Sequence, residues 1–137
     1  MFIVFHRFRK TEGGQALVEM ALVLPILLLL VFGIVEFGRI LNAKLIVSNA
    51  SREGARYAAV SGIIATDTQI TDVVKNSAPS LDGTQLTVNI SPIQSLRIRG
   101  TAVAVQVYYP VNIIAPVISV FTGNPYIVKA QTTMRVE

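Results

Sequence analysis

The composition of this 137-residue chain already excludes several classes of protein. The chain has no cysteine, which rules out disulfides, thiolate metal sites and cysteine nucleophiles. Its net charge of +4 does not form a basic stripe with interspersed aromatic residues, so nucleic-acid binding is not expected. Hydrophobic residues make up 52% and are concentrated near the N-terminus, which predicts one compact domain joined to a membrane segment.

A short basic leader opens the chain, and we assign it to residues 1–14. Its basic side chains are those of His6, Arg7, Arg9 and Lys10. Because clustered basic residues favour the cytoplasmic side of a membrane, the leader is expected to be cytoplasmic and the C-terminal part extracytoplasmic. Arg39 and Lys44 on the far side of the apolar run reduce this charge asymmetry.

An apolar helix follows the leader, and residues 15–36 are predicted to cross the membrane. Between Glu19 and Glu36 the sequence MALVLPILLLLVFGIV carries no charge. As a helix it covers ~24 Å, short of the ~30 Å hydrocarbon core, and the preceding QALV completes the span. This places Glu19 near one interface. No small-x-small site follows the apolar run, so removal by ordinary signal peptidase is not expected.

The helix is expected to continue beyond the membrane as an amphipathic segment over residues 37–62, ending at Gly62. Mainly small side chains recur at steps of three and four and predict one narrow packing face: Ile40, Ala43, Val47, Ala50, Gly54 and Ala58. Arg52 and Arg56 lie on the opposite, polar face. They either dock a partner or, as in the Glu53–Arg56 pair at spacing i,i+3, give modest local support to the helix.

Residues 63–137 are predicted to form an exported α+β domain. Thr66 or Asp67 caps a short second helix that ends before Pro79, with Ile70, Val73 and Val74 facing inward. LTVNISPI, TAVAVQVYYPV and YIVKAQTTMRVE predict about three antiparallel strands, the first two joined at Arg97–Gly100. The apolar loop before the last strand is expected to cover an open end of the core or to touch a neighbouring subunit. Its side chains are Val117, Ile118, Val120 and Phe121.

No pattern in the chain indicates catalysis. The single histidine, His6, lies in the leader, and no GxSxG, P-loop or HExxH motif is present. Asp67, Asp72 and Asp82 fall at expected caps and turns, where Asp has a structural reason to occur. We therefore expect no enzyme activity, catalytic residue, metal, cofactor or small-molecule substrate.

The N-terminal half resembles a known family. A basic leader, Gly14, Gln15, then Glu19 at the start of a long apolar helix is the layout of a type IV prepilin-like protein. The string GQALVEMALVLPILLLLVFGIVEFGRILNAKLIVSNASREGARYAAV, from Gly14 to Val60, resembles the TadE-like family, small pseudopilins of tight-adherence (Tad) pilus systems. The ending TMRVE is also similar to members of that family.

The resemblance implies roles for three residues. A membrane prepilin peptidase would cut after Gly14 and leave Gln15 as the first mature residue; cutting after Gly13 would move Glu19 from the fifth to the sixth mature position. Glu19 would pair with the α-amino group of an adjacent subunit and set its axial register. The alternative is that Glu19 lies at the headgroup level and needs no partner. An exposed N-terminal Gln15 can also cyclise, which would remove that amine.

The function that the resemblance implies is assembly of a Tad-type pilus for adhesion or secretion, as a pseudopilin or minor pilin with a pilin-like fold. Expected partners are the lipid bilayer, the prepilin peptidase, other pilin-like subunits and the Tad secretion machinery. The expected location is the bacterial inner membrane, in a single pass, with possible incorporation in the pilus. The alternative is a permanently membrane-anchored, extracytoplasmic binding module with an uncleaved N-terminus.

Overall fold

The protein combines a very long helix with a short helix and a three-stranded sheet. The computed structural model describes residues 12–115, 119–120 and 122–137. In chain order the elements are α1 (Glu12–Ser61), α2 (Asp67–Asn76), β1 (Thr87–Ser91), β2 (Ala102–Val111) and β3 (Tyr126–Arg135). Short 3-10 turns occupy Gly62–Ile64 and Gln94–Leu96. The predicted α+β class is confirmed, while residues 1–11 of the leader lie outside the described residues.

Helix α1 runs without interruption through the segment expected to cross the membrane and into the α+β domain. Pro25 lies inside it. The helix ends where predicted, because Gly62 has a φ of +52°, in the left-handed region that side chains with a Cβ rarely adopt. One continuous helix therefore forms the spine of the domain.

The sheet is antiparallel with the order β1-β2-β3, so β2 is the central strand. Val105 lies opposite Ile90 on one side and Thr132 on the other. Because successive side chains on a strand point to opposite faces, the alternating valines Val103, Val105 and Val107 all face the helix, and all are fully buried.

The small-residue face of α1 packs on this sheet, as predicted. Ile40 of the predicted face is half-buried, and its other members are buried: Ala43, Val47, Ala50, Gly54 and Ala58. Ala55 and Ala59, which the prediction did not include, are buried as well. The approach is close enough for the buried Ser51 hydroxyl to lie 2.8 Å from that of Thr132 on β3. Small side chains thus allow direct helix-to-sheet contact, and dense packing has to supply the stability that disulfides cannot.

Helix α2 begins with a capping box. The Thr66 hydroxyl accepts a hydrogen bond from the Gln69 backbone N–H at 3.2 Å, and the Gln69 side chain accepts one from the Thr66 N–H at 3.0 Å. Ile70 and Val74 are buried, whereas Val73 is only half-buried. The cap therefore falls on Thr66, the first of the two candidates from the sequence.

Two connections are more structured than the sequence predicts. The connection between β1 and β2 contains the 3-10 turn before Arg97, and its far end is paired with the chain terminus through Gly100 N–H and the Val136 carbonyl at 2.8 Å. In the loop between β2 and β3, Ile113 and Ala115 are buried but Val120 is exposed. Val117, Ile118 and Phe121 lie outside the described residues.

Candidate functional site

The half of α1 expected to cross the membrane has no buried residue before Glu36 in the described part of the chain. Its large apolar side chains are exposed, among them Leu17, Met20, Leu24, Leu28 and Phe32. By length and composition α1 can cross a membrane, and none of its most apolar stretch is buried against the domain. A continuous apolar surface of this size requires lipid or other apolar helices around it.

Glu19 lies on this uncovered stretch. Its side chain is exposed between apolar neighbours, and it has no hydrogen bond or ion pair with any described residue. The fold therefore supplies no internal compensation for its charge. Any compensation has to come from water, headgroups or another subunit, so the two readings of Glu19 remain open.

Gly14 and Gln15 lie in the first turn of α1 and are exposed. The peptide bond between them is at the surface, one helical turn before Glu19. Cleavage after Gly14 stays a prediction.

Arg52 and Arg56 are exposed on the polar face of α1, as predicted. Arg56 Nε lies 3.3 Å from Glu53 Oε2, in the expected i,i+3 ion pair. Both side chains of that pair are more than half exposed, so the pair contributes little to stability. Docking of a partner at Arg52 and Arg56 stays a prediction.

Glu36 has a larger role than its spacing from Arg39 predicts. Its carboxylate accepts hydrogen bonds from the Ile114 N–H at 2.7 Å and the Ala115 N–H at 3.1 Å. Arg39 Nη1 adds an ion pair with Glu36 at spacing i,i+3 and a distance of 3.0 Å. The residue is only 4% exposed. Glu36 therefore fixes the β2–β3 loop to α1 at the point where the uncharged run ends.

Arg97 forms a second polar anchor that sequence reasoning missed. It is fully buried, although the sequence predicted only that Arg97–Gly100 joins the first two strands. Its Nε donates to the Pro92 carbonyl at 3.0 Å, one terminal nitrogen donates to the Ala65 carbonyl at 3.2 Å, and the other pairs with the Asp67 carboxylate. Asp67 thus ties α2 to the β1–β2 connection as well as following the helix cap.

The described residues give no arrangement for metal binding, since they hold no group of three His, Cys, Asp or Glu side chains near one another. Hydrogen bonds from the Thr84 hydroxyl and backbone N–H lower the pKa of Asp82 below its usual range. These contacts shape the turn before β1, where Asp has a structural role.

Comparison with known proteins gives a family match in the N-terminal half of the chain. A sequence model of a family described as TadE-like protein matches residues 14–56. This confirms the predicted resemblance to the TadE-like family, and the matched segment begins at Gly14 and contains Glu19, Glu36, Arg52 and Arg56. The second helix and the sheet lie beyond it. No curated protein and no solved structure gives a significant match to the chain.

Proposed function

We propose that this TadE-like, Tad pilus-associated protein is a pseudopilin or minor pilin that takes part in assembling a Tad-type pilus for adhesion or secretion. Its role is structural and operates through lateral packing of the apolar helix after the leader has been removed. Its partners are the bilayer, other pilin-like subunits and the Tad secretion machinery.

The observation that carries this proposal is the uncovered apolar half of α1. The same helix is packed against a sheet in its C-terminal half and is bare in its N-terminal half. In the membrane the bare half is surrounded by lipid. In an assembly the same surface can be covered by the helices of neighbouring subunits, so one segment serves both as anchor and as assembly surface.

Glu19 gives that surface a fixed register in our proposal. A charged residue at the centre of a membrane helix costs roughly 2.5–3.5 kcal/mol on insertion scales, and less near an interface. Pairing with the α-amino group of Gln15 on an adjacent subunit would offset this cost, because an opposite charge favours the ionised carboxylate. Only one axial offset between neighbouring helices brings the two groups together, so the ion pair selects that offset.

The leader and the location complete the proposal. A prepilin peptidase would cut between Gly14 and Gln15 on the cytoplasmic face of the inner membrane, and the domain over residues 63–137 would lie outside. The long apolar helix near the N-terminus fits a membrane-anchored pilus component. The basic residues before it support the proposed orientation.

A second candidate is a permanently anchored binding module, favoured by the exposed Arg52 and Arg56 on the exported part of α1. In that case the N-terminus would stay uncleaved, and the two arginines would hold a ligand or cell-wall partner. The state of the N-terminus therefore separates the two candidates.

The proposal is tested by deleting the gene in the host and examining surface filaments. Loss of filaments, with recovery on expression of the wild-type chain, supports an assembly role, whereas normal filaments in its absence would contradict it. Shearing the filaments and probing them for this chain then distinguishes a subunit of the fibre from a component that stays in the membrane complex.

A further inference from the structure

The loop between β2 and β3 is held at one level of α1. The Ile114 and Ala115 N–H groups donate to the Glu36 carboxylate, as described above. One turn further along the helix, Arg39 NH1 donates to the Asn112 carbonyl at 3.3 Å. These contacts place residues 112–115 beside the segment of α1 from Glu36 to Arg39.

The apolar side chains that the structure describes in this loop divide into two sets. Ile113 and Ala115 are buried against the domain, whereas Ile114 is 74% exposed and Val120 is 80% exposed. The Ser119 N–H donates to the Ala115 carbonyl at 3.2 Å, which keeps Val120 close to the part of the loop that Glu36 holds. The loop thus presents two large apolar side chains to the outside, and neither of them fills the core of the domain.

The helix beside this loop also presents apolar side chains outward. Ile34, Val35 and Phe37 are all more than half exposed. The uncharged run that ends at Val35 covers ~24 Å as a helix, less than the ~30 Å hydrocarbon core of a bilayer. The preceding QALV completes the span at the N-terminal end, so the span ends at Val35 and the level of Glu36 to Arg39 lies at the membrane interface.

We infer that Ile114 and Val120 insert into the extracytoplasmic interface of the bilayer that α1 crosses, and so dock the domain on the membrane surface. This inference rests on the membrane-spanning helix of the proposed function. The occupant is a lipid surface, because the exposed loop side chains continue the exposed apolar surface of the helix at the same level.

The polar groups around these side chains suit a headgroup layer. Arg39 and Lys44 lie on α1, and the Lys44 ammonium donates to the Lys129 carbonyl at the start of β3. Exposed Tyr126 adds an aromatic ring of the type enriched at membrane interfaces. The acid at this level, Glu36, is already satisfied by three donors. Arg39 is one of those donors, and its side chain is still 39% exposed, so its guanidinium can also meet anionic phosphates of the headgroups.

Docking would limit how the domain can tilt on its single helix. A domain carried by one helix can lean freely unless a second contact holds it, and the two loop side chains supply that contact. The same contact would have to be withdrawn from lipid when a subunit leaves the membrane for a fibre.

Single-cysteine labelling tests the inference, because the natural chain contains no cysteine. The full chain is reconstituted into phosphatidylethanolamine–phosphatidylglycerol vesicles with an environment-sensitive fluorophore at Ile114→Cys or Val120→Cys. Leu28→Cys serves as the position inside the bilayer. Ile64→Cys is the matched exposed apolar control, since Ile64 is 82% exposed. It lies beyond the end of α1, and that end is roughly 38 Å along the helix axis from Glu36.

Quenching by spin-labelled lipids is then measured for each label. We expect loss of fluorescence at positions 114, 120 and 28 and none at 64. Loss at 28 alone would overturn the docking inference and leave the membrane-spanning helix intact. No loss at 28 would overturn both. If the fluorescence at 114 and 120 changes with the number of protein chains per vesicle and not with the amount of spin-labelled lipid, the loop contacts a neighbouring subunit. That result also overturns docking on lipid.

Discussion

Glu36 Oε1 lies 2.7 Å from the backbone nitrogen of Ile114, a residue 78 positions later in the chain. This contact joins the middle of α1 to the loop that leads into the last strand. Because the carboxylate is almost fully buried, the loop and the helix depend on each other at this point.

Replacing Glu36 with alanine is expected to release the loop. The change leaves the Ile114 and Ala115 N–H groups without their acceptor, and an unsatisfied buried donor costs about 1–3 kcal/mol. We expect a loss of about 2–3 kcal/mol in the free energy of unfolding of the detergent-solubilised chain, with faster amide exchange at residues 114 and 115. Glu36→Gln keeps an oxygen acceptor and should lose less.

Glu53→Ala is the matched control for Glu36, because Glu53 also pairs with an arginine at spacing i,i+3 but is exposed. Its effect should stay within about 0.5 kcal/mol. Equal effects of the two alanine variants, with unchanged exchange at residues 114 and 115, would show that the loop does not depend on Glu36.

Gly54 is expected to reject a methyl group. A Cβ at this position would lie 2.4 Å from Val74 Cγ2, on a fully buried side chain whose branched Cβ limits rotation. Overpacking of this kind costs about 1–3 kcal/mol. Since alanine gains up to about 1 kcal/mol over glycine in helix propensity, Gly54→Ala should lose up to about 2 kcal/mol of unfolding free energy in a chemical unfolding titration.

Gly38 provides the comparison for Gly54 within the same helix. A Cβ there meets nothing within 4 Å, so Gly38→Ala should be neutral or stabilising by up to about 1 kcal/mol. Adding Val74→Ala should remove the steric clash of Gly54→Ala, and the two changes should be less damaging together than their sum. Strict additivity of the two changes would contradict the proposed close packing.

Arg97 is expected to be intolerant even of lysine. Three nitrogens of the guanidinium now contact the Pro92 carbonyl, the Ala65 carbonyl and the Asp67 carboxylate. A lysine has one ammonium nitrogen, which cannot occupy all three positions. Removing one partner of a buried ion pair costs about 3–5 kcal/mol; because Asp67 is partly exposed, we expect about 2–3 kcal/mol for Arg97→Lys. Thermal unfolding followed by circular dichroism measures the loss.

Arg135→Lys controls for the arginine-to-lysine change itself. Arg135 is exposed and donates to the Gly100 carbonyl at 2.9 Å. Its replacement should shift stability by about 0.5 kcal/mol or less. If Arg97→Lys changes stability by as little as Arg135→Lys, the three contacts of the buried Arg97 guanidinium are not important for the fold.

The sequence was informative where a structural feature depends on a repeating pattern of residues within one helix or strand. The recurrence of small residues from Ala43 to Ala58 predicts the face that packs on the sheet, and the alternation of Val103, Val105 and Val107 predicts its partner. Gly62 predicts the end of α1 because glycine readily adopts a positive φ. These patterns repeat along one element, so they can be read without its neighbours.

The two polar anchors could not be read in this way. Glu36 meets residues 114 and 115, and Arg97 meets residues 65 and 67, so both depend on contacts between distant parts of the chain. In the sequence, Glu36 is recognisable only as an acid three residues before Arg39, and Arg97 only as a basic residue between two strands. The roles of Gly14, Gln15 and Glu19 rest on the family resemblance, and the residues that the structure describes add no partner for them.

Glu19 should be required for assembly but not for processing. Glu19→Ala removes the carboxylate that pairs with the neighbouring amine, while the cleavage position at Gly14 is unchanged. We expect a processed chain, detected by its mobility on gels, with filaments reduced or lost. Gly14→Arg is the reference for failed processing. Normal filaments in Glu19→Ala would remove the case for this residue.

The most direct test of the account is the identity of the first residue of the chain purified from native membranes, determined by mass spectrometry of its N-terminal peptide. We predict that the mature protein begins at Gln15, with the Gln15 amine free where it pairs with Glu19. Uniform cyclisation of Gln15 would contradict that pairing. A chain that still begins at Met1 would contradict the assembly role itself and favour the permanently anchored binding module.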